Sequence, residues 1–243
     1  KLGDSPVLAR KLIEFAEREA KVDPRWRRPS SAGPKRCIRS LVYKASGAVP
    51  EPRSGRVYHT LDDSSWHAEL MKDWLRKMGI NVLYEELRVT TPCAPDSDVG
   101  RIDGIAQFQD GTLRLFDCKA INHYWFERLA SGDITDVIDY FHQIAEYLAS
   151  PEIQALGVQS GLLWFKNKNT SAYLDIEVLY VPDQDRLVVK SAETSSLEPL
   201  EVHLSIENVT RQDITKFNTV QLHVDTGILP ARPYPYRTVF PCS

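Results

Sequence analysis

No run of the chain comes near the roughly 18 consecutive apolar residues that a membrane-spanning helix needs, and its first residues lack the apolar block of a secretory leader. A soluble protein of the cytoplasm is the expectation. Cysteine is sparse. Cys37, Cys93, Cys118 and Cys242 are scattered, which gives neither a disulfide framework nor the paired spacing of a zinc site and suits a reducing compartment. An excess of one charge is also missing. With a net value of -3 the chain is no general polyanion binder, so any contact with nucleic acid has to come from local patterning. Internal repeats and low-complexity blocks are absent. What is present is an ordinary globular composition, 42% hydrophobic and 26% charged over 243 residues, enough for one large or elaborated domain.

The most informative stretch runs from Gly100 to Lys119. Residues 99 to 108 alternate Arg101, Asp103, Ile105 and Gln107 with Gly100, Ile102, Gly104 and Ala106; residues 112 to 119 alternate Leu113, Leu115, Asp117 and Lys119 with Arg114, Phe116 and Cys118. Both read as strands. The link Gln109-Asp110-Gly111 suits a three-residue hairpin loop whose last position is left-handed. That register opposes Phe108 to Thr112, Asp103 to Asp117 and Arg101 to Lys119. A two-residue loop would instead oppose Asp103 to Cys118 and send the aspartates to opposite faces. In the first register the two carboxylates lie about 5 Å apart and repel unless one is protonated or a cation sits between them. A hard divalent ion resolves the conflict, since magnesium takes oxygen ligands and is commonly held by one or two carboxylates and a phosphate. Lys119 would then orient a water and steady negative charge.

Three further elements join this hairpin. Residues 62 to 78 read as a helix closed by Gly79, with an apolar stripe of Leu70, Met71, Trp74, Leu75 and Met78; His67 lies on that stripe in the first turn and is expected to point inward. Imidazole is a ready metal ligand, and a strand over residues 82 to 89 leads from the helix towards the hairpin. A second helix, residues 136 to 149, places Tyr140, Gln143 and Tyr147 on one exposed stripe, able to bond phosphates and stack on bases, with Val137, Phe141, Ile144 and Leu148 on the apolar side. Residues 24 to 39 carry Arg25, Arg27, Arg28, Lys35, Arg36 and Arg39 without an acid, interleaved with Trp26 and with proline and glycine. Such a loop can track a phosphate backbone. Arg53 and Arg56 extend it, and Lys166 and Lys168 are expected to add to the same groove.

The ordered set His67, then Gly100 to Asp103 (G-R-I-D), then Asp117 to Lys119 (D-C-K), then Gln143-x-x-x-Tyr147 resembles the RecB-type branch of the PD-(D/E)xK nuclease superfamily over residues 37 to about 168. A D-x-K triplet alone is unspecific; the ordered set is fairly specific. The resemblance implies an α/β fold with a restriction-endonuclease-like core, a mixed sheet flanked by helices, and Mg2+ or Mn2+ used to cut DNA. Carried over by position, His67, Asp103, Asp117 and the Cys118 carbonyl become metal ligands and Lys119 the catalytic lysine. Gln143 and Tyr147 become contacts to DNA, and Glu86 stands where family members often carry an acidic residue, a candidate to support the ligands from behind; beside this carry-over, Tyr140, Arg101 and Arg25, Arg27, Arg28, Arg36 and Arg39 are expected as further DNA contacts. One departure is Asp63, which stands where the family's first block has glycine. Relatives such as the CRISPR spacer-acquisition nucleases often hold an iron–sulfur cluster with one early and three late cysteines. Cys37 and Cys242 resemble two of these, and a cluster needs four thiolates. It is therefore expected only if the full-length protein carries further C-terminal cysteines.

The expected organisation is an N-terminal helix and basic loop (1–36), a nuclease core (37–170), and C-terminal strands, helix and extended tail packed on the same domain (171–243). The helix is placed at residues 6 to 22, with Ser5 capping it and Leu8, Leu12, Phe15 and Ala16 inward. Strands follow at 160 to 166, 173 to 181 and 186 to 191, and a helix at 206 to 217. The function expected is an exonuclease acting on single-stranded DNA or DNA ends. The alternative is a non-catalytic end-binding or recombination-accessory module with the same fold, working beside a recombination or single-strand-binding protein.

Overall fold

The computed structural model describes residues 8–19, 24–50, 54–96, 100–196 and 200–231. The chain opens with α1 (Leu8–Glu19), α2 (Ile38–Ala45) and α3 (Gly55–Lys77), then β1 (Asn81–Leu83), β2 (Arg88–Val89), β3 (Gly100–Arg101), β4 (Gly104–Gln107) and β5 (Leu113–Ile121). Next come α4 (His123–Ala130), α5 (Ile138–Leu148) and α6 (Pro151–Ala155), followed by β6 (Ser160–Asn167), β7 (Tyr173–Val181), β8 (Arg186–Thr194), β9 (Ser205–Ile206) and α7 (Val209–Thr226). Among the described residues the central sheet has seven strands in the order β1-β4-β5-β6-β7-β8-β9. It is mostly antiparallel and flanked by helices. β5 and β6 alone run parallel, because the segment between them carries α4, α5 and α6 and returns the chain to the same end of the sheet.

Alternation along the strands makes two packing faces. On one, Ile105, Leu115, Leu163, Phe165, Ile176 and Val178 meet Phe141, Ile144, Ala145 and Leu148 of α5. On the other, Ala106, Phe116, Cys118, Leu162 and Trp164 meet Met71 and Leu75 of α3. Each such side chain taken out of water contributes about 1.5 to 3 kcal/mol. A smaller cluster joins α2, α7 and the N-terminal loop through Trp26, Leu41, Val42, Phe217 and Val220.

The rotation of α5 is fixed from behind. Its His142 meets Asp213 of α7 at 2.9 Å, Glu146 accepts the Cys93 amide at 2.8 Å, and Asp139 accepts the Lys35 amide at 3.0 Å and pairs with Arg36 at 3.3 Å. Burial pushes the Glu146 carboxyl up to about 8, with the Asp213 charge adding to the effect. With His142 and Glu146 held on that side, Tyr140, Gln143 and Tyr147 are turned towards β5.

Several expectations change. α3 starts at Gly55, with Ser54 as N-cap, so His67 sits in mid-helix; the apolar stripe is narrower than expected, for Met71 and Leu75 are buried while Leu70, Trp74 and Met78 are exposed. In α1, Ala16 is buried but Leu8, Leu12 and Phe15 are exposed; Ser5, Pro6 and Val22 lie outside the described residues. The expected strand over 82 to 89 breaks into β1 and β2, because Tyr84 and Glu86 take positive φ. The last helix begins at Val209 and runs on to Thr226, and α2 and α4 were not anticipated. The strands of the C-terminal third stand close to their expected bounds and continue the same sheet as the hairpin.

The hairpin closes with the three-residue loop. Phe108 N–H donates to the Thr112 carbonyl at 3.0 Å, Gly111 N–H donates to the Phe108 carbonyl at 2.9 Å, and Gly111 has φ +82°. Pairing then runs from Gln107 with Leu113 to Gly104 with Phe116. There it stops, and the expected pairing of Arg101 with Lys119 does not form. Gly104 turns the chain with φ +156° and Arg101 pairs with Arg88 in a separate two-stranded sheet. A Cβ on Gly104 would stand 2.7 Å from the Phe116 ring. Gly104→Ala is therefore expected to cost about 2 kcal/mol or more and to displace Asp103, checked by denaturant unfolding and a crystal structure of the variant.

Candidate active site

Where β4 ends, β5 continues, and its next inward-facing amide has lost its strand partner. The Asp103 carboxylate replaces that partner: Oδ2 accepts the Cys118 amide at 2.7 Å. The register that pairs Gly104 with Phe116, continued by one step, sets Asp103 against Asp117. Since N–H and C=O of one strand residue point to the same side, the Cys118 carbonyl faces the same edge.

Asp117 is 2% exposed, and its Oδ2 lies 2.6 Å from Lys119 Nζ. That close ion pair is what compensates the buried Oδ2. Burial pushes the carboxyl up to about 6; the Lys119 charge opposes this and the Asp103 charge adds to it. Burial also works against the Lys119 ammonium, yet Asp117 and Asp103 more than offset it and hold Lys119 above its ordinary range. A buried acid, a half-buried acid and a half-buried amine thus sit together, with the buried acid disfavoured as an anion.

The third side of the pocket is α5. Lys119 Nζ lies 5.0 Å from the centre of the Tyr140 ring, a cation–π contact. Gln143 Nε2 donates to the Tyr147 hydroxyl at 3.0 Å. Burial raises the Tyr147 hydroxyl above its ordinary range, and the Asp117 charge acts in the same direction. The tertiary structure therefore collects Asp103, Asp117, Lys119, Tyr140, Gln143 and Tyr147. It also corrects the stripe: Gln143 and Tyr147 are buried and line the carboxylate pocket, so they do not offer an exposed surface for stacking bases.

Other expected site residues lie elsewhere. His67 is on α3, which packs on the sheet face opposite to Asp117; its Nε2 is 3.6 Å from Asp63 Oδ1, and burial and then the Lys166 charge lower its pKa. Among the described residues no three His, Cys, Asp or Glu side chains are gathered for a metal, so His67 does not join the aspartates in this arrangement. Glu86 pairs with Arg101 at 2.8 Å and stands 3.7 Å from Lys72. Arg101 thereby becomes the partner of an acid on the small sheet.

The basic loop is committed to the fold. Arg27 donates to the Cys93 carbonyl, Arg36 pairs with Asp139, and Arg39 donates to the Pro230 carbonyl at 2.5 Å and to the Tyr43 hydroxyl at 2.9 Å. Arg25 and Arg28 also have partners, and Trp26 packs edge-on against Phe217 at 5.9 Å. These contacts tie the loop to α5, α7 and their surroundings, while Arg25 and Arg36 keep an exposed side. Arg53 and Cys242 lie outside the described residues. Cys93 and Cys118 are free and buried, whereas Cys37 is disulfide-bonded, against the expectation of unpaired thiols.

The donor set fits a hard cation: two carboxylates beside a carbonyl at the end of a strand pair, all oxygen. Because the folded pKa of Asp117 exceeds its ordinary 3.8, its neutral form is the stabilised one; this contribution is present below pH 3.8 and lost as pH rises through about 6. Carbon-detected NMR is expected to show the Asp117 carboxyl titrating near 6, and added Mg2+ to move that midpoint down by about one unit or more. An unmoved midpoint at saturating Mg2+ would remove the cation from this pocket.

Comparison of the chain with models of protein families, with curated proteins and with solved structures finds no match in any of the three.

Proposed function

We propose that the chain is a divalent-metal-dependent DNA nuclease on a restriction-endonuclease-like core, acting on single strands or DNA ends. One observation carries this reading: a buried Asp117 paired with Lys119, beside a half-buried Asp103 that accepts the Cys118 amide, stands near the buried Gln143–Tyr147 pair of a helix that follows them in the order the family resemblance requires. A solvent-facing hairpin has no reason to bury Asp117, whose carboxyl is pushed up by burial and by the nearby Asp103 charge.

In this reading Asp103, Asp117 and the Cys118 carbonyl hold Mg2+ or Mn2+, which when bound polarises the phosphoryl oxygen and acidifies a water. The chain's own groups do the rest. Lys119 exchanges its contact with Asp117 for the attacking water and steadies the negative charge that grows on the phosphate. Gln143 holds the Tyr147 hydroxyl in place, and Tyr140 keeps the ammonium of Lys119 from swinging out of the pocket.

Non-catalytic binding of DNA ends is the competing reading, favoured by the placement of His67 on the other side of the sheet and by the burial of Asp117 beneath its own lysine. Purified protein with end-labelled single- and double-stranded DNA separates the two. Cleavage is expected with Mg2+ or Mn2+, is stopped by EDTA, and falls by roughly a thousandfold or more in Asp117→Asn and Lys119→Ala with the circular dichroism spectrum retained. Full activity in either variant would dismiss the site; binding without cleavage in any metal would leave the accessory module.

A further inference from the structure

Lys72 and Lys166 are each 3% exposed, and they are treated in opposite ways. Lys72 is surrounded by Glu69 at 2.5 Å, Glu85 at 3.5 Å and Glu86 at 3.7 Å. Lys166 has no carboxylate within ion-pair distance among the described residues, and its single polar contact is Ser171 Oγ at 3.4 Å. A buried ammonium without a counter-charge is costly, and a buried polar group left without good partners points to an ion that completes the site.

The surroundings say which sign that ion has. Lys166 alternates with Leu162 and Trp164 and so projects from the α3 face of the sheet. It acts electrostatically on His67, as does Lys168. Lys168 Nζ lies 2.8 Å from Ser64 Oγ and 3.1 Å from Asp63 Oδ2. Asp63, the one acid of the group, therefore serves Lys168 and stands 3.6 Å from His67, leaving Lys166 uncompensated. On the flank, Trp164 and Tyr173 stack with ring centres 5.6 Å apart.

We propose that Lys166, with His67, Lys168 and Ser171, binds a phosphate-type oxyanion on the face of the sheet opposite to Asp117 and Lys119. The ammonium supplies the charge, the imidazole and the Ser171 hydroxyl supply donors, and the anion supplies the counter-charge that Lys166 lacks among the described residues. This assignment does not rest on the nuclease reading, since it uses another face and none of the carboxylate pocket.

Calorimetry and thermal unfolding in EDTA test it, with inorganic phosphate against chloride at matched ionic strength. Phosphate is expected to bind and to raise the Tm, and Lys166→Met, which keeps the bulk and removes the charge, is expected to weaken it about tenfold or more. In the absence of phosphate the same variant is expected to unfold at a Tm no lower than the parent, because the uncompensated charge has gone. Should Lys166→Met fail to fold, Lys168→Met and His67→Gln at the rim carry the comparison, with a weakening of about threefold or more expected in each. A parallel arm compares oligonucleotides ending in a 5′-phosphate and a 5′-hydroxyl: preference for the phosphorylated end identifies a DNA terminus as the source, and binding of inorganic phosphate alone identifies a free anion. Absence of binding by the parent protein, or equal binding by the charge-removing variants, would overturn the site.

Discussion

The hydrogen bond from the Cys118 amide to the Asp103 carboxylate is the contact on which the candidate active site depends. It exists because β4 stops pairing at Gly104 while β5 goes on, so that one buried amide needs an acceptor. A carboxylate answers that need and is thereby fixed beside Asp117. The same bond offers a purely structural account of Asp103. What a structural account does not cover is Asp117, which burial disfavours as an anion.

The cost of burying Asp117 is met on two sides. Lys119 compensates the charge two residues along the same strand face, and α5 closes the pocket with Tyr140, Gln143 and Tyr147. The rotation of α5 is in turn decided at a distance, by His142 against Asp213 and Glu146 against the Cys93 amide. The N-terminal loop joins the same frame: Gly33 N–H donates to Asp213 Oδ1 at 2.7 Å, and Lys216 donates to the Ser31 and Gly33 carbonyls at 2.7 and 2.6 Å. Residues remote from the pocket thus hold its third wall, and the basic loop is tied into the same frame.

The two sheet faces carry different groups: one holds Asp117 with Lys119, and the other buries Lys166 near His67 and Lys168. A single strand alternation separates the two environments, since Asp117 and Lys119 point one way from β5 while Cys118 points the other. The histidine falls on the cationic side because α3 packs there through Met71 and Leu75.

The amino-acid sequence by itself determined the hairpin and its three-residue loop, and it brought Asp103 near Asp117, because strand alternation and a left-handed glycine are local rules. It also determined that Tyr140, Gln143 and Tyr147 share a helical stripe, and it placed the strands of the C-terminal third. Only the tertiary structure decided that Gln143 and Tyr147 of this stripe are buried, that Arg27, Arg36 and Arg39 of the loop find partners within the fold, and that His67 lies on the far side of the sheet. Periodicity fixes which residues share a face; which partner covers that face depends on packing between elements distant in sequence. Charge pairing is equally nonlocal, for Arg36 meets an acid on α5 that no reading of its neighbours would supply.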